Sequence, residues 1–357
     1  MPGAVLCVAH RGVMVWHQAY GVAESALRRR PMQRETLFDI ASLTKVVATT
    51  SLLLFAQHEG VCRLDDRVQR FYPATRGTML GAVTIRQLLS HSSGLAAWHP
   101  LYRLLLPDGP TYSGSEQARL HRQQSASLIL KTPMVYPAGS QVQYSDLGFM
   151  LLADILESQY QQSLDTLFLR KVAQPLALRA TAYRPLGGVS PLPTCSAAYA
   201  ATEVCGWRQR VLSGEVHDEN AWAMGGVAGH AGLFATAEDL CRFAIAWCEA
   251  AEGRRAWLPA SLLQESMQRQ THPPGSSRAL GWDTPTPGKS SSGDFFSAHS
   301  VGHLGFTGCS LWMDLERQIS VAFCTNRVHP TRQATGIVQL RPAVHNLVMR
   351  ALGAASS

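Results

Sequence analysis

Apolar and polar positions alternate at both ends of the chain and follow a helical period between them. Residues 3 to 20 (GAVLCVAHRGVMVWHQAY) read as two strands joined at Arg11-Gly12. Residues 43 to 57 (LTKVVATTSLLLFAQ) form an apolar run closed by Gly60, which predicts a buried helix. From about 63 to 230, helical signals and long loops dominate: a capped helix begins at Thr84 and covers Ile85 to Leu89, and another runs from Leu147 to Tyr160. Strand patterns return at 299–304, 309–314 and 318–325, with Gly308 and Glu316-Arg317 as turns, and 335–352 has the period of a final helix. Strands at both ends with helices between them predict an α+β fold. Its antiparallel sheet is completed by the two chain termini and flanked by helices, and it carries an inserted, mostly helical lobe. The expected division is 1–62 with 235–357 for one lobe and 63–234 for the other, within a single domain whose cleft lies between them. The Pro/Gly/Ser-rich stretch 273–293 is the expected exposed loop and a candidate rim of that cleft.

At 357 residues, 46% hydrophobic and 16% charged, the composition is that of a globular protein with a large core. No run of eighteen apolar residues is present to span a membrane. The net charge of +7 rests mostly on arginine, since only four of the 32 basic residues are lysine. Those arginines are scattered, without a stripe of interleaved aromatics, so the charge argues against nucleic acid and allows only an unspecific attraction to anionic cell-envelope polymers. The eight cysteines show no C-x-x-C pairing, and neither a metal nor an organic cofactor is implied. Cys195 and Cys205 flank a loop-like segment and form a candidate disulfide for an oxidising compartment. Met1-Pro2-Gly3 leads straight into the first strand with no basic segment or cleavage site, so no signal peptide is expected and the chain as it stands reads as cytoplasmic.

One of the four lysines, Lys45, lies inside the apolar run, one helical turn after Ser42. Packed among Val46, Val47 and Ala48, an amine is expected to lose hydration and have its pKa lowered toward that of a general base, able to take the Ser42 proton. A lone Ser-x-x-Lys is a weak signal. Two further motifs follow in order: Tyr144-Ser145-Asp146, just after the turn-rich stretch Tyr136 to Ser140, and His303-Leu304-Gly305, continued by Phe306-Thr307-Gly308. A phenol at 144 beside the ammonium is expected to have a lowered pKa and to shuttle protons.

Together these motifs resemble the serine β-lactamase and penicillin-binding-protein-like superfamily, in the branch that holds class C enzymes, D-alanyl-D-alanine carboxypeptidases and related esterases. The resemblance covers nearly the whole chain and implies a β-lactamase/transpeptidase-like fold and an acyl-enzyme hydrolase. By it, Ser42 is the nucleophile, Lys45 its base and Tyr144 the proton shuttle, and His303, on the strand lining the cleft, is a catalytic residue that polarises the site or steers the leaving group. Backbone N–H groups of Ser42 and Phe306 would form the oxyanion hole, and Gly305 would let substrate approach the strand. Two positions depart from the pattern. Asp146 replaces the asparagine of Tyr-x-Asn and is a candidate holder of Lys45, while Leu304 lacks the hydroxyl that binds a substrate carboxylate. Asn326 and Arg327, just past the last strand, are candidates to bind that carboxylate instead. The stretch Val216 to Phe234, with His217, Asp218 and His230 as further candidates, resembles penicillin-binding protein 4B-like carboxypeptidases. Leu88 to Leu95 reads as a helix end capped by hydroxyls and an imidazole.

The resemblance also implies a periplasmic or secreted protein, in relatives whose leader and N-terminal helix precede the first hairpin. The expected partner is a small molecule or cell-wall peptide. A D-alanyl-D-alanine carboxypeptidase is the first expectation, a carboxylesterase on short acyl esters the second, and efficient β-lactam hydrolysis the third. A penicillin- or peptidoglycan-binding module without turnover is the rival from another class.

Overall fold

A computed structural model describes residues 1–354 apart from 28, 113, 196, 197 and 287. The strands along the chain are β1 (Gly3–His10), β2 (Val13–Glu24), β3 (Arg30–Pro31), β4 (Phe38–Asp39), β5 (Ala182–Tyr183), β6 (Val204–Cys205), β7 (Arg210–Val211), β8 (Leu233–Ala235), β9 (Val301–Leu304), β10 (Ser310–Asp314) and β11 (Ile319–Thr325). A six-stranded antiparallel sheet runs β3-β2-β1-β11-β10-β9, so the first and last strands pair at its centre. The hairpin at Arg11-Gly12 turns with both residues at positive φ (50° and 78°), the geometry of a tight hairpin turn.

β1 is buried along nearly its whole length because both faces of the sheet are covered. The helix Ala237–Ala251 packs on one face, with Leu240, Cys241, Phe243 and Trp247 in the main core. The helix Ile337–Ala351 covers the other, where Val348 and Met349 meet Val8, Trp312 and Val321. A smaller sheet, β4-β8-β5, joins the segment before Ser42 to the segment after His230 through the pairs Phe38↔Ala235 and Asp39↔Phe234. Among the described residues no helix is long and apolar enough to cross a membrane.

The predicted helix over 43–57 is a composite. A 3-10 turn covers Ala41–Leu43, a wide π-type turn covers Lys45–Thr50, and a regular α-helix runs from Ser51 to His58. Ser51 Oγ competes with the backbone ladder here by donating to Val46 O at 3.1 Å, and Thr49 Oγ1 ties the segment to Gly229 O at 2.7 Å. The other elements fall within a few residues of expectation. Thr84 and Gln87 form a capping box on Ile85–Leu89, and Ser145 caps Asp146–Tyr160 by accepting from Gly148 N. Cys195 and Cys205 are both free thiols, which corrects the expected disulfide. One is exposed and the other is buried.

Gly305, directly after β9, is where the sheet meets the serine segment. A Cβ there would lie 2.5 Å from the carbonyl oxygen of Ile40. The glycine therefore serves a backbone-to-backbone contact inside the protein, beyond any approach of substrate. Gly305→Ala is expected to lower stability by about 1–3 kcal/mol through overpacking. Chemical denaturation checks this, and an unchanged midpoint would show that the two segments are free to separate.

Candidate active site

Asp39 builds the turn that presents Ser42. Its carboxylate is buried; Oδ1 accepts from Ala41 N at 2.8 Å and Oδ2 from His217 N at 2.6 Å. Its carbonyl accepts from Thr307 Oγ1 at 2.7 Å, tying the same turn to the β9–β10 loop. Ala41 is held at φ 45°, an unusual conformation for a residue with a side chain, immediately before the serine.

Lys45 is fully buried and its Nζ is surrounded by acceptors. It donates to Ser42 Oγ at 2.8 Å and to His230 O at 3.1 Å, and lies 2.7 Å from Asp146 Oδ1. The ammonium also sits 4.8 Å from the centre of the Tyr144 ring. Burial alone would lower its pKa, but Asp146 and Tyr144 more than offset that and raise it above the ordinary lysine value. The expectation of a lowered pKa is thus corrected. The apolar neighbours predicted desolvation, and the carboxylate two positions past Tyr144 reversed its effect. Tyr144 is corrected in the same sense. Burial raises its phenol, and the opposing pull of Lys45 does not restore the ordinary value.

Two imidazoles flank the phenol. His91, itself at φ 56°, lies with its ring 4.5 Å from that of Tyr144, and His303 lies 5.9 Å away. His91 Nδ1 accepts from Ser145 N at 3.1 Å and its carbonyl accepts from Gln143 N at 2.9 Å, so it grips both neighbours of Tyr144. His303 Nδ1 donates to Leu304 O at 2.9 Å, which leaves Nε2 as a lone pair. Burial, reinforced by nearby cations, holds both imidazoles well below the usual histidine pKa, and both are neutral.

Ser42, Tyr144 and Phe306 border two cavities. The first, of about 400 Å³, is walled by Arg278, His303, Leu304, Arg327, Ile337 and Arg341 among others. The second, of about 310 Å³, is walled by Trp98, Asp146, His217, Asp218, Glu219, His230 and Arg332. Phe306 is half exposed, with the Arg327 guanidinium 4.4 Å from its ring centre and the His217 ring stacked at 5.7 Å. The Phe306 N–H has no acceptor among the described residues. Burial would raise the Asp218 carboxyl, but His230 Nε2 at 2.9 Å, the Ala221 N–H at 2.7 Å and His217 together outweigh it and hold the group below the ordinary range.

Of the residues singled out in the sequence, Ser42, Lys45, Tyr144, Asp146, His303, Gly305, Phe306 and Arg327 converge here. Asn326 does not. It is 1% exposed, accepts from Gly3 N at 2.9 Å and donates to the carbonyls of Val22 and Ala23, so its amide locks the first strands to the last and faces no substrate. Sequence reasoning missed Asp39, Trp98, Arg278 and Arg341, and it assigned His91 to a helix end alone. The Ser-His-Ser-Ser-Gly run was a signal, but its contact with Tyr144 crosses 53 positions of chain.

The arrangement offers a hydroxyl, an amine held by a carboxylate, and a phenol in mutual contact, which is the equipment for acyl transfer. The family described as Beta-lactamase matches residues 1–343. An N-acetylmuramyl-L-alanine amidase of Bacillus subtilis (strain 168) is 31% identical over 360 aligned positions, covering 92% of this chain and 78% of that protein. A putative D-alanyl-D-alanine carboxypeptidase of Escherichia coli (strain K12) is also 31% identical, covering 92% and 79%. Among solved structures, EstCE1, a hydrolase with promiscuous acyltransferase activity, superposes with a TM-score of 0.71 at 22% identity, over 96% of this chain and 93% of that one. The octameric penicillin-binding protein homologue from Pyrococcus abyssi superposes with a TM-score of 0.72 at 18% identity, over 99% and 74%. The chain belongs to the beta-lactamase family and is a serine hydrolase of the beta-lactamase-related type.

Proposed function

We propose that the protein hydrolyses an amide bond of cell-wall peptides through an acyl-enzyme on Ser42, as a D-alanyl-D-alanine carboxypeptidase-like enzyme. The observation that carries this reading is the contact of Ser42 Oγ with Lys45 Nζ at 2.8 Å, beside Tyr144 and Asp146. The first cavity supports a substrate with an anionic end. Arg327 and Arg341 bind only carbonyl oxygens among the described residues, so neither charge is matched by a carboxylate. The names of the curated relatives, a putative D-alanyl-D-alanine carboxypeptidase and an N-acetylmuramyl-L-alanine amidase, support the same substrate class.

In the resting state Lys45 is an ammonium that donates to Ser42, so it cannot accept the serine proton until it loses one of its own. Once it has, Ser42 Oγ attacks the carbonyl carbon while its proton passes to the Lys45 and Tyr144 pair. The developing oxyanion is received by the N–H groups of Ser42 and Phe306. Tyr144 returns the proton to the leaving amine as the C–N bond breaks. Water then attacks the ester carbon, gives its proton back through the same pair, and frees the acid and Ser42. His303 and His91, both neutral, hold Tyr144 without adding charge.

A second reading, hydrolysis of short acyl esters, is favoured by Leu304, Ile337 and Val338, which make part of the first cavity apolar. A panel of p-nitrophenyl esters, a chromogenic cephalosporin and a D-Ala-D-Ala peptide separates the readings. Ester turnover with no peptide cleavage rejects the carboxypeptidase.

Ser42→Ala is expected to abolish the mass adduct formed with a fluorophosphonate while leaving the circular dichroism spectrum unchanged, and Lys45→Ala to lower acylation at least 100-fold, on the order expected for a lost general base. Undiminished ester turnover in either variant would contradict the assignment. Asp146→Asn removes the larger of the two influences that raise the Lys45 pKa and leaves burial, which lowers it, opposed only by Tyr144. Neutral amine then exists at lower pH, so the acid limb of the kcat/KM profile for an ester substrate is expected to move to lower pH. A limb that stays in place or moves upward would refute the assigned role of Asp146.

A further inference from the structure

The loop between β9 and β10 carries the second oxyanion donor, the Phe306 N–H, and the side chains around it form a closed circuit that the cycle above does not use. Arg327 grips Phe306 at two points. Its Nε donates to the Phe306 carbonyl at 2.8 Å, and its guanidinium lies 4.4 Å from the centre of the Phe306 ring. The guanidinium is itself anchored, since Nη1 donates to the carbonyls of Arg332 at 3.1 Å and Ala334 at 2.9 Å. The Arg327 backbone N–H reaches the next residue of the loop, donating to Thr307 O at 3.1 Å.

From Arg332 the contacts return to Phe306 by a second route. Arg332 Nε donates to Glu203 at 2.8 Å, and His217 Nε2 donates to the same carboxylate at 3.0 Å. Burial would raise the Glu203 carboxyl, but His217 and Arg332 outweigh it and hold it at about 2, so this group only accepts. The His217 ring in turn stacks on Phe306 at 5.7 Å, with 28° between the two planes. The His217 N–H is bound by Asp39, whose other carboxylate oxygen holds the Ala41 N–H just ahead of Ser42. One network therefore reaches the chain at both oxyanion donors.

An N–H that must meet a developing charge works only if its peptide plane cannot swing, and the soft dihedrals on either side govern that plane. On one side Gly305 is fixed by its contact with Ile40 and by its own N–H, which donates to Cys309 O at 2.7 Å. On the other, Phe306 lies outside the strands and is 50% exposed, and Arg327 fixes both its carbonyl and its ring. We infer that Arg327 is a positioning residue for the oxyanion hole, aiming the Phe306 N–H at the substrate carbonyl oxygen through its hydrogen bonds, apart from any attraction of its charge for a leaving group. A lysine would supply that charge without the planar fork that holds three carbonyls and a ring together. The inference rests on the oxyanion donors of the proposed function and needs no particular substrate class.

Arg327→Lys keeps the charge and loses the fork, and two neutral substrates read the hole directly. They are p-nitrophenyl acetate and its thiono analogue, in which sulfur replaces the carbonyl oxygen. Sulfur is larger and a weaker acceptor, so a well-aimed pair of N–H groups penalises the thiono ester. The ratio of the two kcat/KM values does not depend on how much of a variant is folded. For the unaltered protein that ratio, divided by the ratio of the two rates with hydroxide, is expected to be about ten or more. Arg327→Lys and Arg327→Met are each expected to bring it down toward one and to lower kcat/KM for the acetate roughly 10- to 100-fold. A ratio unchanged in Arg327→Lys would overturn the inference, whatever Arg327→Met does, because charge alone would then suffice and the oxyanion donors would stand without the clamp. A ratio near one in the unaltered protein would overturn the oxyanion donors of the proposed function together with the inference.

Discussion

An ammonium carried into an apolar core with no anion beside it loses several kcal/mol of hydration, and Lys45 is fully buried with its ammonium 5.7 Å from the centre of the Phe149 ring. Asp146 supplies the anion at 2.7 Å. The pair fixes more than a protonation state. Asp146 is the first residue of the helix Asp146–Tyr160, so its charge lies at the positive end of that helix and draws the helix start against the wide turn Lys45–Thr50. Because Tyr144 comes two residues earlier, placing the carboxylate places the phenol. Removing one charge of a fully buried pair costs about 3–5 kcal/mol. Each partner has a way to reduce that loss: Lys45 can release a proton, and Asp146, with 17% of its side chain exposed, can recover water.

The second constraint is backbone packing. Asp39 holds the turn before Ser42 with one carboxylate oxygen and the His217 backbone with the other, while its carbonyl receives Thr307. Gly305 then closes the gap between β9 and Ile40. Three distant stretches of chain are thereby fixed to one short segment, and Ala41 keeps its left-handed conformation because those contacts over-determine it. The nucleophile is positioned by the meeting of the two sheets and owes little to the helix that follows it.

Much of this was legible in the sequence because it depends on local pattern. The alternation at both ends gave β1, β2 and β9 to β11 to within a few residues, and their closure into one sheet follows from burial on both faces. The order Ser42, Lys45, Tyr144, His303 marked side chains that do meet. Protonation was less legible, since the sign of the Lys45 shift depends on a competition between burial and a carboxylate 101 positions away. Asn326 misled for a related reason. An amide just past a strand looks available, and only the pairing of β1 with β11 shows that it is consumed by Gly3, Val22 and Ala23. His91 and Asp39 act through backbone groups, a role that residue type does not announce.

Asp146 and Leu304 change the same property of the cleft, which is the supply of directed hydrogen-bond donors. An ionised carboxylate engaged with Lys45 donates nothing to a substrate carbonyl, and leucine donates nothing to a substrate carboxylate. What remains in the arginine-lined cavity is the charge of Arg327 and Arg341, while that of Arg278 is partly answered by Asp283 at 3.7 Å. The Nε and one terminal nitrogen of Arg327 are already engaged by the carbonyls of Phe306, Arg332 and Ala334, so its charge faces the cavity more than its hydrogens do. A field of this kind attracts an anion without fixing its orientation, unlike a bidentate contact. Under the proposed function, such a site selects leaving groups by charge and leaves their shape loosely specified. A fused bicyclic lactam gains least from that arrangement, because its carboxylate and side-chain carbonyl sit at a rigid spacing that only directed donors can read.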